Sequence, residues 1–522
     1  MDALTRAATT GTSREAPPAN GLPTDDLLGS VKRTPERELL LRAGMHAVYR
    51  AAGRRAETGV EGPVPAPGET LPPCSAKAAE IVRWLLVAQR TEILREALDL
   101  LRLAGSRVPH ALLPAALDVK QTELRPAVAA VLGERGLWLA AQNPDWGWAA
   151  NGGTEQDEET IWEEGVLTER LEALRRVRGR DAERGRLLVE EAWKSEKADT
   201  RAAMVVALGT GLNPGDEPFL ERALDDRSVR VREAVASLLA QIPGSAYAER
   251  AVVRADSVLA GYGPPSTGLL RRRRAGRLLV NPPQYVDAEW RRDLPGSDRP
   301  PQGVGEQAWK LSHAQAAVPP AHWEDSFGLE PSGLVAAARG DWEAALLQGW
   351  CKAARLHQSH DWAMPLWQHC YGTSDDFVGR LTWEEALRLA PILPQSEFAV
   401  ALPGLFFGDE VEMSRRLSAT LQAIPSPWSA ELSEVYMDRL RQRLSGFEEF
   451  GQARGEDPWL LTLSHAACSL APECFAEGID LKVLLAGWAG KGNYVMLQWV
   501  RDVEKFEETL ELRRKLMEEI PL

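Results

Sequence analysis

The sequence predicts an all-α protein: an α-solenoid of stacked helix pairs, broken by a short irregular, β-containing insertion near 256–304. Three observations carry this. The stretch Glu183–Ser245 lies on itself when shifted by 31 residues, so that Leu188 falls on Phe219, Ala192 on Ala223, Trp193 on Leu224, Arg201 on Arg232, Met204 on Val235 and Leu208 on Leu239. A short period of this kind marks a repeat that buries its core only by stacking on its neighbours. Apolar residues recur at spacings of three and four along most of the chain, the signature of one-sided helices. Gly and Pro punctuate these segments, and strand-like alternation is scarce.

The second copy shows the physics. Val231, Ala234, Val235, Leu238, Leu239 and Ile242 form one apolar stripe, while Arg227, Arg230, Arg232, Glu233 and Gln241 lie largely off it. Asp226 and Ser228 offer oxygens to the free N–H groups at the helix start, and Pro243-Gly244 stops the helix. A shorter helix from about Asp216 to Leu224 turns Phe219, Leu220, Ala223 and Leu224 inward. Neither helix can bury its face alone, and stacked pairs can.

Taken in order, residues 1–75 hold a short helix at Ala3–Ala8, a clearer one from Thr34 to Ala51, and a Pro/Gly-rich connection. Residues 76–165 hold helical repeats at Ala78–Val87, Thr91–Leu103, Pro109–Leu117 and Leu124–Leu132, then a loop with an acidic run from Glu155 to Glu164. That run reads as a solvated acidic loop. Residues 166–255 open with a helix at Leu167–Val177 and the basic residues Arg175, Arg176, Arg178 and Arg180, then carry the repeats. Residues 256–304 break the pattern with GYGPPSTG, LLRRRRAGRLLV and a Pro-rich run; Leu278–Val280 reads as a short strand. Residues 305–522 return to helices, including Glu343–His357, Tyr494–Arg501 and a charged final helix Glu507–Glu519 that caps the array.

At 522 residues the chain can bury a large core. The net charge of −14 opposes non-specific nucleic-acid binding, though a local basic patch survives it. The odd count of five cysteines, Cys74, Cys351, Cys370, Cys468 and Cys474, contains no CxxC pair, which predicts reduced thiols and a cytoplasmic location. No signal-like start and no uncharged apolar run of about 20 residues predict a chain without a membrane span. Eighteen tryptophans read as packing between helices.

The second copy resembles the HEAT-repeat family, in the form D-x-x-x-x-V-R-x-x-A-x-x-L-L: Asp226, Val231, Arg232, Leu238 and Leu239 match, and Val235 stands one place past Ala234. The resemblance implies that Arg201 and Arg232 are ladder residues that pair with acidic groups near the inter-helix turn, Asp226 among them. Further stretches resemble a bacterial, HEAT-repeat-containing family of uncharacterised function, DUF5691. They are LRPAVAAVLGERG with the following Leu137–Trp146, EEAWKSEKADTR at Glu190–Arg201, DEPFLERALDDRS at Asp216–Ser228 and GEQAWKLSHAQAAVPPAHWEDSFGL at Gly305–Leu329. That resemblance implies a fold and no established chemistry. Its neighbourhood suggests, as an expectation only, association with a MoxR-type AAA+ ATPase and a von Willebrand A-type (VWA) protein.

Candidate chemistry is sparse. Cys351, His357, His360, His369 and Cys370 put five soft or borderline donors within twenty residues, but no C-x2-4-C knuckle accompanies them, so no metal is assigned. GTGLNPG at Gly209–Gly215 lacks the Lys-Ser/Thr of a P-loop and reads as a turn. No G-x-S-x-G or H-E-x-x-H appears. Arg271, Arg272, Arg273 and Arg274 with Arg277 form the sharpest basic cluster, and a protein partner is its first reading. The sequence therefore predicts a non-enzymatic scaffold or adaptor without a cofactor. The alternatives are a HEAT-like enzyme acting on nucleic acid, of the DNA-glycosylase kind, and a metal-binding protein built on the 351–370 donors.

Overall fold

The computed structural model describes residues 3–13, 34–52, 64–149, 161–163, 165–263, 266–267, 273–274, 276–282, 287–296, 299–371, 377–405, 411–445, 459–479, 481–485 and 494–521. The acidic run 155–160 and Glu164 lie outside them, as do Arg271 and Arg272. The chain forms two compact units, Met1–Ala66 and Pro67–Leu522. The first holds α1 (Ala3–Thr10) and α2 (Pro35–Ala52), where the Thr12 hydroxyl donates to Glu36 at 2.6 Å.

The second unit is built from helices, with two short two-stranded ladders among the described residues. It begins with α3 (Ala76–Ala88) and α4 (Thr91–Leu103), then short helical turns and α5 (Leu113–Leu117), α6 (Arg125–Ala129) and α7 (Gly133–Gln142). The repeats follow: α8 (Leu167–Arg180), α9 (Ala182–Ala192), α10 (Ala198–Leu208), α11 (Glu217–Ala223) and α12 (Val229–Gln241). Leu188, Met204, Leu208, Phe219, Val235 and Leu239, the residues that superpose in sequence, are buried in one core. The stripe is solid because each repeat covers its neighbour's apolar face.

An arginine ladder runs along these repeats, one copy earlier than the sequence match begins. Arg170 pairs with Glu196 at 2.7 Å and lies 4.8 Å over the ring of Trp162. Arg201, 31 residues on, grips both oxygens of Asp226 at 2.9 and 3.1 Å and lies 5.5 Å over Trp193. Arg232, the next in register, differs. Leu224 stands where the tryptophan would be, and Arg232 donates to the backbone carbonyls of Asp226 and Arg227 rather than to a carboxylate. Asp226 also accepts from the Ser228 N–H at the start of α12, so it fastens a turn as well as an arginine.

Beyond α12 come α13 (Ala246–Val258), the β insertion, α14 (Ala288–Asp293), α15 (Glu306–Ala316), α16 (Ala321–Phe327), α17 (Pro331–Ala337), α18 (Glu343–Leu356) and α19 (His360–Tyr371). The remainder is α20 (Phe377–Leu387), α21 (Gln395–Leu405), α22 (Val411–Ala423), α23 (Ala430–Ser445), α24 (Leu460–Ser469), α25 (Phe475–Ile479), α26 (Lys482–Leu485) and α27 (Tyr494–Glu519). One line of packed neighbours runs α8, α10, α12, α13, α15, α18, α20, α22, α24, α27. Tryptophans fill it: Trp323, Trp350, Trp362, Trp367 and Trp499 are almost wholly buried, and Trp350 meets Trp362 edge-on at 5.2 Å.

Two expectations for the C-terminal end fail. The helices expected at Tyr494–Arg501 and Glu507–Glu519 are one continuous 26-residue helix, because the residues between them include no Gly or Pro to stop it. Nor does that helix cap the array. The first helices of the unit, α3 and α4, pack on it. Arg513 donates to both oxygens of Glu96 on α4 at 2.6 and 2.8 Å and to the carbonyls of Ala467 and Leu470. Leu516 and Ile520 enter the core formed by α3 to α7.

Candidate binding sites

The described strands of the insertion form two short antiparallel ladders. β1 (Leu259–Gly263) pairs with β4 (Arg277–Val280), and β2 (Ser266–Thr267) with β3 (Arg273–Arg274). The pairs Gly263 with Arg277 and Ser266 with Arg274 keep one register, so the two ladders are segments of the same ribbon. Of the basic cluster, Arg273 and Arg274 form β3 and Arg277 opens β4, while Arg271 and Arg272 fall in the connection outside the described residues. The Arg277 guanidinium lies against the backbone of Gly340, at the foot of the ribbon.

The chain returns from the ribbon through an ion network. Asp293, wholly buried at the end of α14, receives Arg250 at 2.7 Å, Arg292 at 3.1 Å and Arg254. Burial pushes its carboxyl pKa up, but the Arg250 hydrogen bond and the Arg254 charge prevail and hold it below the usual range. Glu221 on α11 receives Arg250 and Arg292 at 2.9 and 3.2 Å. The buried Tyr247 hydroxyl donates to the Asp293 carbonyl at 2.8 Å. These bonds clamp the segment Asp293–Gly296 onto α11 and α13.

That clamped segment forms one wall of a solvent-open cavity of about 160 Å³, bordered by α12, α15 and α18. Its charged lining is Asp293, already held by the arginines, Glu233 from α12, and Lys352 and Arg355 from α18, and His313 from α15 joins them. The His313 ring bonds through Nδ1 to the Trp309 carbonyl at 2.9 Å. Nδ1 therefore carries the proton and donates, and Nε2 is left as an acceptor. Burial, then the nearby Lys352 charge, pushes the imidazole pKa down to about 4, so it is neutral near pH 7. The Lys352 ammonium lies 4.8 Å over the Trp309 ring. Burial lowers its pKa against the pull of Glu385, and the Arg388 and Arg355 charges add to the lowering. Gly296, at φ +82°, keeps the wall open: a Cβ there would stand 2.9 Å from Glu233 Oε1 and 4.0 Å from His313 Nε2. None of these residues was singled out from sequence as a functional group. The residues come from three helices far apart in the chain, and no spacing rule connects them.

The other singled-out residues are placed as follows. Arg178, read as part of a basic cluster, is buried and donates to both Asp216 oxygens at 2.8 and 2.9 Å and to the carbonyls of Leu208, Thr210 and Gly211. It thereby fills the GTGLNPG turn from inside. Cys351 and Cys370 are buried against each other, and burial followed by the Cys370 thiol holds the Cys351 pKa well up. His360 bonds to the Ile392 carbonyl at 2.5 Å and His369 to Glu343 at 2.9 Å, so both point to partners other than the cysteines. Burial lowers the pKa of His357. Among the described residues no group of three or more His, Cys, Asp or Glu is arranged to hold a metal ion, and no helix is long and apolar enough to cross a membrane.

The sequence profile of a family of unknown function, DUF5691, matches residues 3–520. No curated protein matches the chain. Among solved structures, an engineered protein aligns at 13% identity over 84% of this chain and 99% of its own, with a TM-score of 0.21, too low to bear on the fold.

Proposed function

We propose that this chain, which belongs to the DUF5691 family of unknown function, is a non-enzymatic scaffold or adaptor that meets a protein partner through its arginine-bearing ribbon. The observation that carries this is the ribbon itself. Among the described residues, the helical array with its internally fastened ladder is followed by a β ribbon, and its strands include Arg273, Arg274 and Arg277. Arg271 and Arg272 adjoin them in the sequence. A stacked array supplies a long, stiff surface, which suits a binding role. Five arginines on a chain of net charge −14 favour a partner with an acidic face met at close range, since the wider field repels polyanions such as nucleic acid. A MoxR-type AAA+ ATPase or a VWA-type protein is the partner class to test first. Ladder arginines Arg201 and Arg232 belong to the framework in this reading, as does Asp226.

The test is affinity capture of the tagged protein from its own host, read by quantitative mass spectrometry, with a parallel variant in which Arg271, Arg272, Arg273 and Arg274 are all changed to Glu. The expected result is one stoichiometric protein with the native chain and its loss with the variant, at unchanged helical content. Retention by the variant sinks the reading, and so does bound material that nuclease removes.

A further inference from the structure

We infer that the cavity between α12, α15 and α18 is a binding site for a small zwitterion, a molecule that carries a carboxylate and a protonated amine a few bonds apart. The inference stands apart from the ribbon, and either can fail without the other.

The charges around the cavity come in two poles. The positive pole is Lys352 and Arg355, one helical turn apart on α18 and therefore on the same face. The negative pole is Glu233, beside the bare edge of Gly296. Among the described residues neither pole is consumed internally. Glu233, Lys352 and Arg355 make no ion pair within 4.0 Å, and the Lys352 ammonium has only the Trp309 ring beneath it. The nearby charged groups have their own partners, although Glu385 keeps one buried oxygen without a hydrogen bond. Asp293 is taken up by three arginines, and Arg388 pairs with Glu385 at 2.7 Å.

His313 decides the ligand's polarity. Its Nδ1–H is held by the Trp309 carbonyl, so Nε2, which lies 4.0 Å from where a Cβ on Gly296 would stand, is left as the acceptor that the ring offers to the cavity. Glu233 Oε1 borders the same space. Two acceptors converge there and call for a donor, which a protonated amine supplies. A lone anion would gain Lys352 and Arg355 but face the Glu233 charge and two acceptors. A lone cation would gain Glu233 but face two cations. Only a ligand with both charges satisfies both walls. The volume of about 160 Å³ is below the roughly 300–1,000 Å³ of pockets for drug-sized ligands, which favours a small occupant. Ala236, Ala240, Ala316 and Ala317 line the remainder with short apolar side chains and suit a short methylene link between the two charges.

The test uses the full chain and a molecular ruler: glycine, β-alanine and γ-aminobutyrate, which separate the same two charges by increasing length. Acetate, methylammonium and inorganic phosphate are the single-charge controls. Binding is read by calorimetry. It is also read on the native protein by the acylation rate of Lys352 relative to the exposed Lys77, an internal standard that corrects for reagent lost to the added amines. One member of the series is expected to slow Lys352 acylation at least threefold, with the controls at equal concentration having less effect. Glu233→Gln and Lys352→Met are each expected to weaken its binding tenfold or more. If no member protects Lys352, or if acetate or phosphate protects as well as the best zwitterion, the site is not what we infer. Binding that survives Glu233→Gln unchanged overturns it equally.

Discussion

Arg178 and Lys352 are both cations drawn out of water by the helices around them, and the molecule treats them in opposite ways. Every N–H of the Arg178 guanidinium has an acceptor: the two Asp216 oxygens and the carbonyls of Ala182, Leu208, Thr210 and Gly211. Lys352 has an aromatic face beneath it and, among the described residues, no carboxylate within ion-pair reach. The first arrangement fastens α8 to the turn after α10. The second leaves a desolvated charge on the wall of a cavity, with the Glu385 charge acting on it only from beyond ion-pair reach. Desolvating a charge is costly unless a partner compensates it. A complete internal set of bonds therefore reads as framework, and an incomplete set beside open space reads as a place reserved for something from outside.

The largest effect that this contrast predicts is at the framework end. Asp216→Ala leaves the Arg178 guanidinium buried without its counter-charge, with both side chains almost wholly shielded from water in the native chain. Loss of one partner from a buried pair costs about 3–5 kcal/mol. Urea unfolding of the variant should show a correspondingly lower midpoint at unchanged slope. A loss under about 1 kcal/mol would mean that the carbonyls alone hold the arginine, and the framework reading of that site would fail.

The next effect belongs to the cavity. His313 has a folded-state pKa of about 4 against 6.5 for the free group. Between those values the unfolded chain binds a proton that the folded chain refuses, so stability falls as pH drops from 6.5 to 4. The shift corresponds to a penalty of about 3 kcal/mol, complete below pH 4 and absent above pH 6.5. His313→Gln keeps a polar side chain without the titration and should flatten that window in a pH series of melts. An unchanged pH profile would show that the imidazole reaches water and takes up its proton without penalty.

The two regions also differ in how much of them the sequence discloses. The repeats are legible because a stacked array uses the same contact again after a fixed number of residues. The 31-residue shift that aligns Arg201 with Arg232 also carries Trp162 onto Trp193 and Arg170 onto Arg201, so the earlier rung of the ladder was readable by extending the same comparison. The docking of α3 and α4 on α27 was not readable: Arg513 and Glu96 lie at opposite ends of the unit and share no repeat. The cavity was hidden for the same reason. Glu233 reads as an exposed residue off an apolar stripe, Lys352 as an ordinary helix lysine, and His313 as one histidine among eight. The packing of α12, α15 and α18, with the segment from Asp293 to Pro295 beside them, brings them to one space.

A milder test of the framework is Asp226→Ala. It removes the bidentate partner of Arg201 and the acceptor for the Ser228 N–H. Arg201 keeps its bond to the Glu196 carbonyl and its place over Trp193, and it is partly solvated. The expected loss is about 1.5–3 kcal/mol, smaller than at Asp216, by the same unfolding measurement. If Asp226→Ala costs as much as Asp216→Ala, then rung position rather than burial sets the strength of the ladder.

The smallest effect has the opposite sign and bears most directly on the contrast. Lys352→Met keeps the length of the side chain and its contact with the Trp309 ring while it removes the desolvated charge. Where a charge is internally satisfied, such a change destabilises; where it is not, the change is neutral or stabilising. Lys352→Met should therefore gain stability, by up to about 1 kcal/mol at neutral pH once the partial access of the ammonium to solvent is allowed for. The pH dependence supplies an internal check. The folded-state pKa of Lys352 lies below the ordinary value of 10.5, so the penalty is complete below the folded pKa and vanishes as pH rises toward 10.5. The gain of the variant over the native chain should shrink over that same interval. A variant that is less stable than the native chain at neutral pH would show that Lys352 is already answered by the protein, and the distinction between the fastened arginines and the open cavity would lose its basis.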